Sequence, residues 1–471
     1  MNKRWIVIFL VAGLLSCKKD HQGPVLPAAS GTPVTVSIDP NHPGNTIAAD
    51  FEGLSYETGI LAESPDILNA GNTVLVQLIK NLGPGLLRIG GDSSDETSWT
   101  GGARTPANSK EELTTSDIDR LSAFSRATGW PVLYGLNLGN NDAAAAADEA
   151  RYAYSSLKEN LYALVLGNEP DVYNLFGLRA KSYGVNEYHA DWQTYKSAIV
   201  SQVPQAVFAG PGTAYNTDWI TAFAQNESND NIKLLDAHYY ATGPASDPTI
   251  SYHTILNGNW KLNNILNVIS SESGKHHLPY RITESNSVYG GGKAGTSDVF
   301  ASALWALELM WTIAERNGQG INFHGGNGLI YSPVTMENSV ITARPLYYAM
   351  LAFQRGNTAG SLVPVTSDHP GSNYSVHACV NADHSYAVTL INTNESQNFS
   401  FTINLNKLVQ NIKIERLSAP AITATTGVTF AGSTVNADGT FKPAAGTQYE
   451  VNAKSFVINV PAGSAAVVTV Q

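Results

Sequence analysis

Two glutamates stand out for the residue types around them. Glu169 lies in LVLGNEPD, an apolar run that ends in Asn168, Glu169 and Pro170. Glu284 lies in RITESNSVYGGG, another apolar run that ends in a carboxylate. If both runs are parallel barrel strands, Glu169 ends the fourth and Glu284 the seventh, and the two face one pocket from opposite sides of its rim. One carboxylic acid to protonate a leaving oxygen and one carboxylate to attack an anomeric carbon is the minimum equipment for cleaving a glycosidic bond. On that reading Glu169 is the acid/base and Glu284 the nucleophile. Asn168 can hydrogen-bond a sugar 2-OH, and Pro170 fixes the backbone just past the strand. Glycines 290 and 291, with Tyr289 before them, let backbone N–H groups approach an anion closely without a formal positive charge.

The elements that must hold these residues can be read from hydrophobic periodicity. Strand-like runs fall near 51–57, 86–90, 132–138, 161–168, 207–210, 232–240, 280–284 and 321–324. Helical patterns separate them at 74–81, 115–128, 143–158, 186–203, 217–226, 256–272 and 298–317, and a last one follows at 345–355. Eight β–α alternations of this size predict a (β/α)8 TIM barrel over residues 49–355. A doubly wound open sheet is the competitor, and no GxGxxG or Walker pattern supports it. From residue 373 the chain is rich in Thr, Val and Asn, with alternating stretches such as YSVHACV, YAVTLIN and FVINV. Residues 356–471 therefore read as an accessory antiparallel β-sandwich, joined by a short N-terminal strand within 34–48.

The N-terminus reads as an address. Lys3 and Arg4 precede an apolar run from Trp5 to Leu15, too short for a membrane span, and Leu14-Leu15-Ser16-Cys17 fits a lipoprotein cleavage box. The expectation is a signal peptide over 1–16, acylated Cys17, and a Pro/Gly/Ser-rich tether over 17–33. The protein would then be an exported bacterial lipoprotein of the outer membrane, held there by its lipid alone, with Lys18 leaning toward that membrane.

Composition narrows the partners. The 471 residues carry 28 Lys and Arg against 39 Asp and Glu, a net charge of −11, and charged residues are only 14%. An acidic surface without a basic cluster argues against nucleic acid. Cys17 and Cys379 are the two cysteines, so neither a disulfide framework nor a Cys-based metal site can be built. His238 and His324 stand singly on separate strands, without HxH or HExxH spacing. No metal is expected, and both histidines should hydrogen-bond within the barrel mouth.

The pieces FEGLSYE, LLRIGGDSSD, GNEPD, DAHYY, TESNSVYGGG, INFHGGNGLIYSP and RPLYYAML, in that order, resemble glycoside hydrolase family 79 of clan A, which holds β-glucuronidases and heparanases. The resemblance runs from about residue 35 to the C-terminus. It implies a barrel plus sandwich, retention of anomeric configuration and no cofactor. It further implies that Glu169 and Glu284 match the acid/base and nucleophile, and that Tyr289, the amides of Gly290 and Gly291, and Tyr331 hold a uronate carboxylate. Tyr239 matches the tyrosine that orients the nucleophile; strand alternation allows only one of Tyr239 and Tyr240 to point inward. Glu57 and Asp92 would bind the sugar's outer hydroxyls, or else pair with cations at the barrel mouth. The heparanase branch grips sulfated chains with basic surfaces, which this acidic chain lacks. The expected substrate is therefore a carbohydrate with terminal glucuronic acid, 4-O-methylated or not, cleaved by an exo-acting β-glucuronidase. A clan A hydrolase with a neutral sugar preference and a non-catalytic glycan-binding lipoprotein are the rival readings.

Overall fold

The computed structural model describes residues 24–105, 111–258, 260–369, 373–381, 383–444 and 446–471. The expected signal peptide, Cys17 and the first part of the tether, to residue 23, lie outside the described residues. Among those described, no helix is long and apolar enough to cross a membrane.

Eight parallel strands close into a barrel. In chain order they are Glu52–Glu57, Leu86–Gly90, Val132–Leu136, Leu161–Leu166, Phe208–Thr213, Ile232–Thr242, Tyr280–Val288 and Ile321–His324. The last pairs with the first, Ile321 opposite Glu52 and His324 opposite Ser55. Parallel strands covered on both faces read as continuous apolar runs rather than alternating ones. Leu86, Leu133, Ala163, Val165, Ala209 and Leu234 form a small cluster of their own. The opposite strand faces join the surrounding helices in a much larger core.

Those helices begin and end where local chemistry dictates. Thr114 and Asp117 form a reciprocal cap at the start of Thr115–Thr128, and Gly129, at φ 79°, ends it in the left-handed conformation. The Asp142 side chain accepts from the Ala145 amide at the head of Ala143–Leu157. The pattern expected at 256–272 resolves into a short helix, Tyr252–Leu256, and a longer one, Trp260–His276.

The C-terminal strands enclose a second core built from Val36, Val388, Leu390, Phe401, Ile403 and Val468 among others. The N-terminal strand Thr32–Ile38 joins them, pairing parallel with Phe399–Asn404 and antiparallel with Val365–Ser367. That parallel pairing departs from the all-antiparallel expectation. Strand Phe399–Ser418 is 20 residues long, and its register against Thr447–Val460 shifts between Asn404 and Asn411. Its first half neighbours the N-terminal strand and its second half neighbours Ser464–Val470, so this one long strand joins both into a single nine-stranded sheet.

Candidate active site

The fourth barrel strand stops at Leu166, and the chain then turns sharply. Gly167 takes φ 80°, and Glu169 itself is left-handed at φ 51°, ψ 52°. A non-glycine residue pays about 1–2 kcal/mol for that conformation, so its surroundings must enforce it. Asp95 does so from below, accepting from the amides of Leu138, Gly139 and Asn168 and from the Tyr173 hydroxyl at 2.6–2.9 Å. Asp171 does so from beyond, accepting from the amides of Ala214, Tyr215 and Asn216. The Glu169 amide donates to the Gly212 carbonyl at 3.0 Å. Pro170 opens a single 3-10 turn, consistent with the stop read at that position.

Glu284 reaches the same space from the seventh strand. One carboxylate oxygen each from Glu169 and Glu284 and a ring nitrogen of His238 all lie within 4.8 Å of one another. Arg88, from the second strand, pairs with Glu284 through Nη1 and donates to Asn168 Oδ1 through Nη2 at 2.7 Å. Asn168 in turn donates to Asp92 Oδ1 at 3.1 Å. The spacing of Glu169, His238 and Glu284 could suit a divalent cation by distance alone. The Arg88 guanidinium already occupies the positive position beside Glu284, which disfavours a second cation there.

Tyr240 donates to Glu284 Oε1 at 2.8 Å. This corrects the assignment of that role to Tyr239. Asp236, His238 and Tyr240 alternate along the sixth strand; Asp236 accepts from Thr283, His238 bonds Glu169 and Tyr240 bonds Glu284. Tyr239 falls on the other phase of the strand and packs into the large core. The two histidines behave as expected of barrel-mouth groups. His238 Nδ1 lies 2.8 Å from Glu169 Oε1; His324 lies 3.0 Å from Ser55 Oγ through Nδ1 and 3.2 Å from Glu57 Oε1 through Nε2.

The environment drives the two glutamates to opposite protonation states. Burial raises the Glu169 carboxyl well above its usual range, and the charges of Glu284 and Asp171 push the same way. Burial would also raise Glu284, but His324, Arg88 and the Tyr240 hydrogen bond more than reverse this and hold it far below the usual range. His238 is pushed down to about 4, chiefly by burial, so it stays neutral and cannot draw the proton from Glu169 electrostatically. Asp92 rises to about 7 through burial and the charges of Glu169, Glu284 and Glu57.

All of this borders one cavity of about 800 Å3. Its wall includes Glu57, Asp92, Glu169, Tyr240 and Glu284 together with Tyr289, Gly290, Gly291 and Tyr331. Gly290, Gly291 and Gly292 take φ 80°, 90° and 88°, which only glycine adopts freely in series. Among the described residues nothing accepts from the amides of Gly290 and Gly291, so they are available to a ligand. Glu57 is tied down by the Ser93 amide at 2.9 Å and by the Ser93 hydroxyl. Thus the expected residues Glu57, Asp92, Asn168, Glu169, Glu284, Tyr289, Gly290, Gly291 and Tyr331 all gather around one site. Tyr239 touches the cavity wall from the core side.

The sequence profile of the glycosyl hydrolase family 79 N-terminal domain matches residues 63–310, and that of the family's C-terminal β domain matches residues 376–467. The chain belongs to glycoside hydrolase family 79. A β-glucuronidase of Aspergillus niger is 23% identical over 87% of each chain. Heparanase-like protein 3 of Arabidopsis thaliana is 27% identical over 52% of this chain and 50% of that protein. Among solved structures, a 4-O-α-L-rhamnosyl-β-D-glucuronidase from Fusarium oxysporum superposes with TM-score 0.76 at 18% identity, covering 92% of this chain and all of that one. A family 51 arabinofuranosidase from Xanthomonas axonopodis pv. citri gives 0.68 at 16% identity, covering 94% of this chain and all of that one. The family's barrel-and-β-domain architecture is therefore the one this sequence adopts, and the chain is a glycoside hydrolase.

Arg88, Asp95 and Asp171 escaped the reading of the sequence. Arg88 sat in plain view as a cation inside the apolar run LLRIG, where a buried charge implies a partner. Asp95, three residues beyond Asp92, carries no sequence signal that separates it from an ordinary loop carboxylate.

Proposed function

We propose that the protein is a retaining, exo-acting β-glucuronidase that releases terminal glucuronic acid by double displacement. Glu169 donates its proton to the glycosidic oxygen as Glu284 attacks the anomeric carbon. Water then hydrolyses the glycosyl-enzyme with Glu169 as base. The observation that carries this reading is the pair itself: two carboxyls with oxygens within 4.8 Å, one driven toward its acid form and one toward its anion. Retaining enzymes keep their carboxyl groups about 5–5.5 Å apart and inverting ones about 6.5–9.5 Å. The glucuronate preference is supported by the unpaired amides of Gly290 and Gly291 beside Tyr289 and Tyr331, which would bind the sugar carboxylate, and by the relatives that bear that activity in their names. Glu57 and Asp92 would take the sugar's outer hydroxyls, and Asn168 the 2-OH.

The test is hydrolysis of 4-nitrophenyl β-glucuronide beside the matching β-glucoside and β-xyloside, with Glu284→Gln as control. The uronide should lead by at least a hundredfold, and Glu284→Gln should lose several orders of magnitude. Equal rates on the three glycosides would remove the role of the glycine cradle.

We also propose that the chain is exported and anchored through acylated Cys17 to the outer membrane, on the strength of the N-terminal sequence pattern. Replacing Cys17 with Ser should move the protein from the membrane to the soluble fraction.

A further inference from the structure

The cavity wall changes character around the barrel. The seventh, eighth and first strands, with the segments after the seventh and second, supply the acidic and amide groups: Glu284 and the glycine cradle, His324, Glu57 and Asp92. The segments that follow the fourth, fifth and sixth strands, helices included, supply Val172, Leu175, Phe176, Tyr215, Trp260 and Ile265, with Lys261 and Asn264 the polar residues among them. Among the described residues, eight large apolar or aromatic side chains stand markedly exposed, and five of them line this one cavity: Leu175, Phe176, Tyr215, Trp260 and Tyr289. Phe176 is 70% exposed and Trp260 75%. Scattered exposed apolar residues need no explanation, but a contiguous set at the mouth of a reactive cavity does.

We propose that the fourth-to-sixth-strand wall is a leaving-group subsite built for a planar, apolar aglycone. This rests on the glucuronidase reading, because it is the position of Glu169 that decides which side is which. A general acid must lie within hydrogen-bond reach of the oxygen it protonates, so the departing group sits over the loop that follows Glu169. That loop carries Leu175 and Phe176 on the one-turn helix Tyr173–Phe176. The helix is pinned by the Tyr173 hydroxyl on Asp95, and Tyr215 is pinned by its amide on Asp171. The same two carboxylates that set the Glu169 turn therefore also fix the apolar wall relative to the acid.

A second sugar ring is the competing occupant. Sugars stack on aromatic faces, but their equatorial hydroxyls lose water on binding and need polar partners at the ring edge. The uronate side of the cavity is rich in such partners, and the leaving-group side offers mainly hydrocarbon. An aryl aglycone replaces exposed apolar surface on both partners without leaving a polar group unpaired.

The experiment compares three β-glucuronides with alkyl leaving groups: methyl, 2-phenylethyl and the 6-linked galactose disaccharide. Their leaving alcohols are all poor ones, so differences report binding to the wall rather than easier bond cleavage. The 2-phenylethyl glucuronide should exceed both others in kcat/KM by at least tenfold. Trp260→Ala and Phe176→Ala should each cut that ratio at least fivefold, whereas Leu408→Ala, an exposed apolar residue in the C-terminal strands, should leave it unchanged. Because each enzyme is its own reference, partial misfolding cancels. A wild-type ratio near one, or a disaccharide preference that falls in Trp260→Ala, overturns the apolar-aglycone assignment while leaving the glucuronidase standing. Failure to hydrolyse any of the three overturns both.

Discussion

Arg88 and Glu284 form an ion pair in which the side chains keep only 4% and 8% of their exposure. The pair spans the barrel from the second strand to the seventh, and the other arm of the guanidinium holds Asn168, the neighbour of Glu169. One cation therefore ties the proposed nucleophile to the turn that presents the proposed acid. The planar fork matters as much as the charge, because an ammonium cannot reach both partners in fixed geometry.

Removing that cation leaves a buried anion without its partner. Arg88→Met should destabilise the fold by about 3–5 kcal/mol, as for other broken buried pairs. It should lower kcat/KM by roughly 10²–10³-fold, the scale for losing one preorganised electrostatic contact. Arg88→Lys should recover much of the stability and little of the rate, because it keeps the charge and loses the bridge to Asn168. Thermal melts alongside kcat/KM separate the two effects; wild-type kinetics in Arg88→Lys would show that the bridge has no positioning role.

Tyr240 and Tyr239 offer a test by adjacency. A hydrogen bond to a charged group contributes about 1.5–3 kcal/mol. Tyr240→Phe should therefore slow turnover roughly tenfold to a hundredfold, with the acid limb of the pH profile moving upward as Glu284 loses a donor. Tyr239→Phe, on the core side of the same strand, should change kcat by less than about threefold. If the two variants exchanged these effects, the strand phase read from the hydrogen bonds would be wrong.

That adjacency also shows where the sequence stops being legible. Strand runs, helix runs and the carboxylates that end two strands could be read because hydrophobic period and turn residues are local. The phase of DAHYY could not, since Tyr239 and Tyr240 are the same residue type and only the register against Glu284 separates them. Arg88 was visible as an oddity, yet its partners lie 80 and 196 residues away. The single 20-residue strand Phe399–Ser418 was hidden for another reason: its alternation breaks at the shift near Asn406, which reads locally as a turn between two shorter strands.

The opposed protonation of Glu169 and Glu284 fixes the direction of the pH dependence. Glu284 is ionised from low pH, so the acid side should be broad. Activity is lost as rising pH strips the proton from Glu169, whose pKa is raised first by burial and then by Glu284 and Asp171. The basic limb of kcat/KM should be marked for an alkyl glucuronide and shallow for a 4-nitrophenyl glucuronide, whose leaving group needs less protonation. Asp92, pushed up to about 7, is a second carboxyl that loses its proton as pH rises, so Asp92→Asn tests whether the limb belongs to the carboxyl set as a whole. Identical limbs for the two substrates would mean that Glu169 is not the acid.

A second titration lies away from the cavity, where the barrel meets the C-terminal strands. His377, on strand Tyr374–Val380, stacks on Trp311 with ring planes 2° apart and centroids separated by 5.2 Å. Its Nδ1 lies 2.6 Å from Glu315 and its Nε2 3.2 Å from Glu308, both on helix Phe300–Glu315. Burial alone would push its pKa down; Glu308 and Glu315 more than reverse this and hold it at about 10. The folded-state pKa is thus raised above the ordinary histidine value near 6.5, so the stabilisation is full below pH 6.5 and disappears as pH climbs toward 10. Urea unfolding at pH 6 should show His377→Gln clearly less stable than wild type, and the gap should shrink steadily by pH 10. A gap independent of pH over that window would mean that the imidazole is held by packing against Trp311 rather than by its charge.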